Sequence, residues 1–357
     1  MRPALVDDDR FLLHRARGLH PERPERLLAA RAALNDAGMR PAFEPLPARP
    51  ATAAELQRVH HAAYVAQALR TLDGGGDGHL DADTFFSAGT RDAALAAAGG
   101  AVDLACALVQ GDARGGLALL RPPGHHATPD TAMGFCIFNN VAAAAAAALA
   151  TGRVARVLIV DWDVHHGNGT QDAFWEDDRV LYFSSHQFPF YPGTGRASEI
   201  GAGRGRGFTL NVPLPAGCGD AEYAAAYLAT LVPAARRFRP DLVLVSAGFD
   251  AYAGDPLAEM EVTPAGFAEL GRLVRGLAPD GAPDRIGVLL EGGYALDGLG
   301  ACLLAALRAL LFDDPPPHAH AAAAEQEMPR PEALPAPVRR VVEELRRAHD
   351  DRWWSDA

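Results

Sequence analysis

Cysteine is scarce in this chain. Cys106, Cys136, Cys218 and Cys302 are scattered through 357 residues, and no two form a Cys-x-x-Cys pair. That argues against a cysteine-ligated zinc and suits a reducing cytosol. Positive charge is also in short supply: the formal net charge is −12 and the pI is near 5.5. General affinity for nucleic acid or anionic membranes is therefore not expected, and an acidic surface would favour cationic partners only weakly. The start, Met1-Arg2-Pro3-Ala4-Leu5-Val6-Asp7-Asp8-Asp9, turns acidic where a signal peptide would need its apolar region. No membrane span is expected either, because the apolar tract Val141 to Ala150 is too short and its alanines favour an ordinary helix. These absences predict a cytoplasmic protein. Repeats and convincing interdomain linkers are missing too, so residues 1–357 are expected to form one domain. Residues 313–337, rich in Pro and Ala, read as an irregular crossing, with His318 and His320 facing solvent. Residues 338–357 read as a helix and tail, helical from Val338 to His349 and pinned by Trp353-Trp354.

Apolar residues make up 49% of the chain, enough for a large core. Short apolar runs recur at Leu117 to Leu120, Arg156 to Val160, Val180 to Phe183, Leu242 to Val245 and Ile286 to Leu290. Runs of that length without polar alternation read as strands buried on both faces. Helical stretches separate most of them, at Arg91 to Val109, Val141 to Leu149, Ala221 to Phe238 and Pro264 to Leu277. The alternation predicts an α/β protein with a mainly parallel sheet flanked by helices.

Almost every predicted strand runs into a polar or glycine-rich string: Arg121-Pro122-Pro123-Gly124-His125-His126, Asp161-Trp162-Asp163-Val164-His165-His166-Gly167-Asn168-Gly169, Ser184-Ser185-His186, Ser246-Ala247-Gly248-Phe249-Asp250 and Glu291-Gly292-Gly293-Tyr294. One rim of the sheet, the carboxyl end where open α/β sheets bind ligands, thus collects the unusual chemistry. If the strand continues, Asp161, Asp163 and His165 share one face by period-two alternation. Such a cluster is costly to bury unless a cation neutralises it. Alone it could be a strand end paired with arginines. Asp250, at the end of another buried strand, strengthens the metal reading, and a carboxylate–imidazole–carboxylate set leaves a position open for water. Zinc fits; iron(II) and cobalt(II) fit the same donors.

His125 and His126 could be a polar turn, but on this rim they can serve as acid and base if each ring has a different partner, with Asp161 and Asn168 as candidates. Tyr294, on a Gly-Gly turn, caps a loop or donates to a developing oxyanion. Met133-Gly134-Phe135-Cys136 and Phe188 to Gly195 supply aromatics that could wall a narrow channel. Cys136 is expected merely to pack. Gly201 to Gly207 is only superficially like a phosphate loop, since no Lys-Ser/Thr follows.

Taken together these strings, with His20-Pro21-Glu22-Arg23-Pro24-Glu25-Arg26-Leu27 near the start, resemble the histone deacetylase superfamily, on its class II and bacterial amidohydrolase-like side, to which Asn168 points. The resemblance covers nearly the whole chain. It implies the arginase–deacetylase fold, with an eight-stranded, mainly parallel sheet. It also implies Zn²⁺ on Asp163, His165 and Asp250, with His126 leaning on Asn168 as general base. His125, leaning on Asp161, would be electrostatic catalyst or proton donor, and Tyr294 would bond the acyl oxygen. Phe135 and Tyr191 would flank an acyl-lysine tunnel, the Gly134 carbonyl would receive the amide N–H, and Leu257 would sit at the mouth. A structural K⁺ would lie near Asp161, Asp163, His165, Ser184 and Ser185, largely on backbone oxygens.

The implied activity is deacylation of N-acetyl-lysine in protein or peptide, with a homo-oligomer compatible with it. The rival substrate is an acetylpolyamine. Polyamine-selective relatives carry a glutamate just after the Gly-Asp-Pro string, where this chain has Leu257, although Asp81 or Asp83 could reach the mouth. A non-catalytic acyl-lysine binder would be favoured by loss of Tyr294 or a ligand, and neither is lost. A manganese ureohydrolase would need a two-metal Asp/His set that the chain does not offer.

Overall fold

The computed structural model describes residues 1–279, 281–282, 284–312 and 331–355. The body is one eight-stranded sheet. In chain order its strands are β1 (Ala4–Val6), β2 (Glu44–Pro45), β5 (Gly116–Ala118), β6 (Val157–Asp161), β7 (Val180–Gln187), β8 (Thr209–Leu214), β9 (Leu242–Ala247) and β10 (Ile286–Leu290). A separate short hairpin pairs β3 (Gly78–His79) with β4 (Phe85–Phe86). The sheet order is β2-β1-β5-β10-β9-β6-β7-β8, and every pairing is parallel. Each strand from β5 inward is buried almost throughout, which is why these segments lack polar alternation.

Helices supply the crossovers. The first five are α1 (Pro24–Asp36), α2 (Ala53–Leu56), α3 (Ala62–Asp73), α4 (Thr90–Gln110) and α5 (Asn140–Ala150). After the sheet centre come α6 (Asn168–Ala173), α7 (Asp220–Ala226), α8 (Val232–Phe238), α9 (Pro264–Arg275), α10 (Leu296–Leu307) and α11 (Ala336–Ala348). α4 is long and apolar enough to cross a membrane by length and composition, but 78% of that stretch is buried inside the protein. It packs against α5 and the strands β1, β5, β9 and β10. Helix α5 is almost pure alanine and starts under an Asn139 cap whose side chain accepts from the Ala142 N–H. Its small side chains let the helix lie close to the sheet.

Two expectations need adjustment. The stretch read as one helix, Ala221 to Phe238, is α7 and α8 joined by a π-helical turn, Tyr227–Leu231. Pro233 has no N–H to continue the ladder, and Thr230 Oγ bonds the Ala226 carbonyl at 2.6 Å, so the turn widens there. Strand β6 ends at Asp161, so Asp163 and His165 lie in a loop and strand alternation does not orient them. Most of the expected crossing at 313–337, with His318 and His320, lies outside the described residues. The tail beyond it packs onto the body. Trp353 and Trp354 are 5% and 3% exposed, and their indole N–H groups donate to the carbonyls of Gly207 and Ala229, each at 2.8 Å.

Candidate active site

Five loops at the carboxyl ends of β5, β6, β7, β9 and β10 converge, as the polar strings require. Asp163 Oδ1 accepts the backbone N–H of His165 at 3.0 Å and lies 3.2 Å from its Nδ1. Asp163 Oδ2 accepts the Gly292 N–H at 2.8 Å. Asp250 Oδ1 accepts the Val164 N–H at 2.9 Å. Its other oxygen, Oδ2, is buried, meets no backbone N–H and pairs with His165 Nδ1 at 3.2 Å. One ligand atom from each of Asp163, His165 and Asp250 falls within 4.8 Å of the others.

These residues fit a cation. Burial works against a charged imidazole, yet Asp163 and Asp250 raise His165 to about 9, so positive charge is strongly favoured at that point. Burial and the neighbouring Asp163 carboxylate in turn push Asp250 up to about 7. Only glycine can close the cradle: a Cβ on Gly292 would stand 2.1 Å from Asp250 Oδ2 and 2.5 Å from Asp163 Oδ2.

The two histidines lie beside this cluster, ring centroids 4.0 Å apart and planes tilted by 45°, with different partners. His125 Nδ1 lies 3.1 Å from Asp161 Oδ2, and its Nε2 is 3.8 Å from Asp163 Oδ1. Burial opposes its charge, but Asp163 and Asp161 hold the imidazolium to about 10. His126 Nδ1 lies 2.8 Å from the Asn168 amide oxygen. That oxygen can only accept, so Nδ1 carries the hydrogen and Nε2 keeps its lone pair. Burial, then the neighbouring His125 and His165, hold His126 well below the usual imidazole range. One ring is thus kept charged and the other neutral.

Aromatic rings gather beside the two histidines. The Tyr191 ring stands edge-on to His126 at 5.2 Å and to His165 at 6.1 Å. Phe135 meets Tyr294 edge-on at 6.1 Å and His20 at 4.7 Å. Phe135 is held at φ 68°, a left-handed conformation costly for an aromatic residue, by Thr84 Oγ, which accepts its N–H at 3.1 Å. Gly134 must be glycine: its φ is +58°, and a Cβ would stand 2.3 Å from the His126 ring. The Cys136 thiol packs there and donates to the Gly134 carbonyl at 3.2 Å. Tyr294 is half-buried, and its hydroxyl makes no hydrogen bond among the described residues. Leu257 is half-buried near this rim, its N–H bonded to Asp255 Oδ1 at 3.0 Å. Asp161 and Ser184 are register partners across β6 and β7, while the Ser184 and Ser185 hydroxyls bond His186 and Tyr227.

Several supporting residues escaped the sequence reading. Asp255 Oδ2 accepts the N–H groups of Tyr294 and Ala295, at 2.6 and 3.0 Å. Arg26 donates to the carbonyls of Gly293 and Glu291 and places its guanidinium over the Tyr294 ring, 4.8 Å from the centroid. Glu22 balances both Arg26 and Arg121 in the buried interior. Glu291 Oε2 accepts the N–H groups of Gly124 and His125, at 2.7 and 3.2 Å. Asp83, considered above only as a mouth acid, accepts the Gly134 N–H at 2.8 Å. Glu22 and Arg26 stand four apart in the string that begins at His20; nothing local signals the other pairings.

Comparison with known proteins follows this geometry. The histone deacetylase domain model matches residues 20–310. Histone deacetylase 15 of Arabidopsis thaliana is 44% identical over 317 residues, covering 86% of this chain and 56% of that protein. The human protein named polyamine deacetylase HDAC10 is 44% identical over 308 residues, covering 83% of this chain and 45% of that protein. The chain thus spans about half the length of these two curated relatives. A probable deacetylase of Archaeoglobus fulgidus is 38% identical over 300 residues, covering 84% of this chain and 83% of that one. The crystal structure of the HDA15 HD domain superposes with a TM-score of 0.89 at 39% identity, covering 99% of this chain and 95% of that chain. The all-parallel eight-stranded sheet is therefore the arginase–deacetylase fold, and with the domain model matching well over half its length the chain belongs to the histone deacetylase family.

Proposed function

We propose that this chain is a Zn²⁺-dependent deacylase that hydrolyses the amide of N-acetyl-lysine in proteins or peptides, its deacetylase domain running through residues 1–357. The observation that carries the reading is the cluster of Asp163, His165 and Asp250 beside two histidines, one hydrogen-bonded to a carboxylate and the other to an amide oxygen. Asp163, His165 through Nδ1, and Asp250 would hold the metal. Bound there, Zn²⁺ would polarise the acyl carbonyl and make water a better nucleophile.

The chain's own groups do the rest. His126, neutral and hydrogen-bonded to Asn168 through Nδ1, takes a proton from the attacking water at Nε2. His125, held charged by Asp161 and Asp163, returns a proton to the departing amine. The free Tyr294 hydroxyl donates to the acyl oxygen as negative charge develops. Phe135 and Tyr191 line the path of the acyl-lysine stem, and the Gly134 carbonyl retains a lone pair for the scissile N–H. We extend the proposal to a structural K⁺ near Asp161, Asp163, His165, Ser184 and Ser185, which the adjacency of Asp161 and Ser184 supports.

An acetylpolyamine is the second substrate class, favoured by the likeness to HDAC10 and opposed by Leu257 at the position where a distal ammonium would seek a carboxylate. The test is a panel of fluorogenic acyl-lysines and acetylpolyamines, with elemental analysis of the enzyme before and after chelation. One zinc per chain and loss of turnover on chelation are expected, and Asp163→Ala should lose the metal. Full turnover in metal-free enzyme would overturn the proposal.

A further inference from the structure

The turn that carries Tyr294 is fixed from both sides by carboxylates that bond its backbone. On the amino side the Gly292 N–H donates to Asp163 Oδ2 at 2.8 Å. On the carboxyl side Asp255 Oδ2 accepts the N–H groups of Tyr294 and Ala295, at 2.6 and 3.0 Å. Ala295 stands just before the 12-residue helix α10 and offers no side-chain cap of its own. The Asp255 carboxylate therefore also faces the positive end of that helix, where negative charge is favoured. It is only 7% exposed.

Asp255 is itself mounted on a fixed loop. Tyr252 and Val262 form a β-bridge, the Ala253 N–H donates to the Val262 carbonyl at 3.0 Å, and the Asp255 N–H donates to the Tyr252 carbonyl at 2.9 Å. The remaining oxygen, Oδ1, accepts the Leu257 N–H at 3.0 Å. One carboxylate thus joins the tyrosine turn to the loop of Leu257. The Tyr294 ring meets the Arg26 guanidinium over its face and Phe135 edge-on at 6.1 Å. Face and edge contacts of this kind let a ring slide. The depth of the hydroxyl in the site therefore follows the backbone, and a small backbone shift is magnified at the far end of the side chain.

We propose that Asp255 is a positioning residue for the reaction: its carboxylate sets the depth at which the Tyr294 hydroxyl meets the acyl oxygen and locks that depth to the loop of Leu257. The proposal rests on the deacylase reading above, in which Tyr294 is the oxyanion donor. An oxyanion donor acts only within about 2.7–3.1 Å of its target. A misplacement of about 1 Å can cost on the order of 10²-fold in rate.

The test is a double-mutant cycle on zinc-loaded full-length enzyme with an acetyl-lysine peptide: wild type, Asp255→Ala, Tyr294→Phe and the double variant, with zinc content and melting temperature measured for each. Asp255→Ala should lower kcat by about 10- to 100-fold with KM changed by less than about threefold. In the Tyr294→Phe background the same substitution should lower kcat by less than about threefold, because the hydroxyl it positions is already gone. Asp255→Asn keeps one oxygen for the two N–H groups of the tyrosine turn and should recover most of the lost kcat. If Asp255→Ala fails to fold or loses zinc, Asp255→Ser, whose hydroxyl is too short to span both loops, takes its place in the cycle with the same expectation. Equal losses in the two backgrounds, with Tyr294→Phe itself impaired, overturn this proposal alone. Unchanged turnover in Tyr294→Phe overturns both this proposal and the role given to the tyrosine.

Discussion

At the scale of single residues, the site depends on which partner each ionisable group is given. His125 and His126 are adjacent in sequence and chemically alike, yet one faces carboxylates and the other an amide oxygen, so their protonation states separate. Tyr294 is held through its backbone by Asp255 and over its ring by Arg26, while its hydroxyl is left unbonded. Tyr294→Phe should therefore lower kcat by on the order of 10²–10³, as expected for removal of one oxyanion donor. KM for an acetyl-lysine peptide should stay within a few fold, because the bond matters mainly in the transition state. Steady-state kinetics decide this, and unchanged turnover would make the tyrosine structural. Leu257 sets a second prediction. Leu257→Glu should raise kcat/KM for acetylputrescine or acetylspermidine relative to acetyl-lysine peptide by several fold, since one partly exposed ion pair contributes roughly 0.2–1 kcal/mol. A flat ratio, or a wild type that already prefers acetylpolyamines, would remove Leu257 as the discriminator.

At the scale of elements, strands deliver the chemistry to one rim and other segments hold it there. The β3–β4 hairpin turns on Asp81, whose Oδ1 accepts the N–H groups of Asp83 and Thr84, and this presents both Asp83 and Thr84 to the Gly134-Phe135 turn. The tail after α11 acts as a buttress. Burying each indole removes roughly 150–250 Å² from water, about 4–6 kcal/mol before ordering costs. Trp354→Ala should cost about 3–5 kcal/mol, because it leaves a cavity and orphans the Ala229 carbonyl. Urea denaturation would measure it, with zinc content expected to hold. A loss below about 1 kcal/mol would mean that the tail is only loosely docked.

At the scale of the molecule, buried histidines make stability depend on pH. His60 is fixed as the neutral ring: Nδ1 faces the Thr128 carbonyl at 2.8 Å, and Nε2 accepts the Asn139 N–H at 2.9 Å. Burial lowers it to about 4; His14, His186 and His349 are lowered, mainly by burial, to about 3, 4 and 4. A histidine whose folded pKa is depressed contributes fully above its unfolded value near 6.5, and that contribution is lost as pH falls. Glu291, Asp250 and Asp172, raised mainly by burial to about 7, 7 and 6, slope the opposite way but are fewer than these four histidines. Stability should thus decline from about pH 6.5 towards pH 4, each histidine adding ~1.4 kcal/mol per pH unit. Thermal melts across that range test it, and a flat melting temperature from pH 7 to 5 would contradict it. The whole chain shows one further property: all 33 of its basic residues are arginine.

The sequence by itself determined the alternation of buried strands and helices, the rim on which the polar strings gather, and the identity of the residues brought together there. Those features are local: an apolar run, a period and a short motif are read within about ten residues. Only the tertiary structure decided how the rim is held. Arg26 bonds the Gly293 carbonyl across 267 positions, Glu22 pairs with Arg121 across 99, and Asp255 holds the Tyr294 turn across 39. Strand alternation could not orient Asp163 and His165, because β6 stops at Asp161 and backbone bonds to Asp163 and Asp250 fold the following loop instead. Local pattern reports how much of a segment must be buried, whereas the choice of partner depends on which loops the closed sheet brings within hydrogen-bond reach.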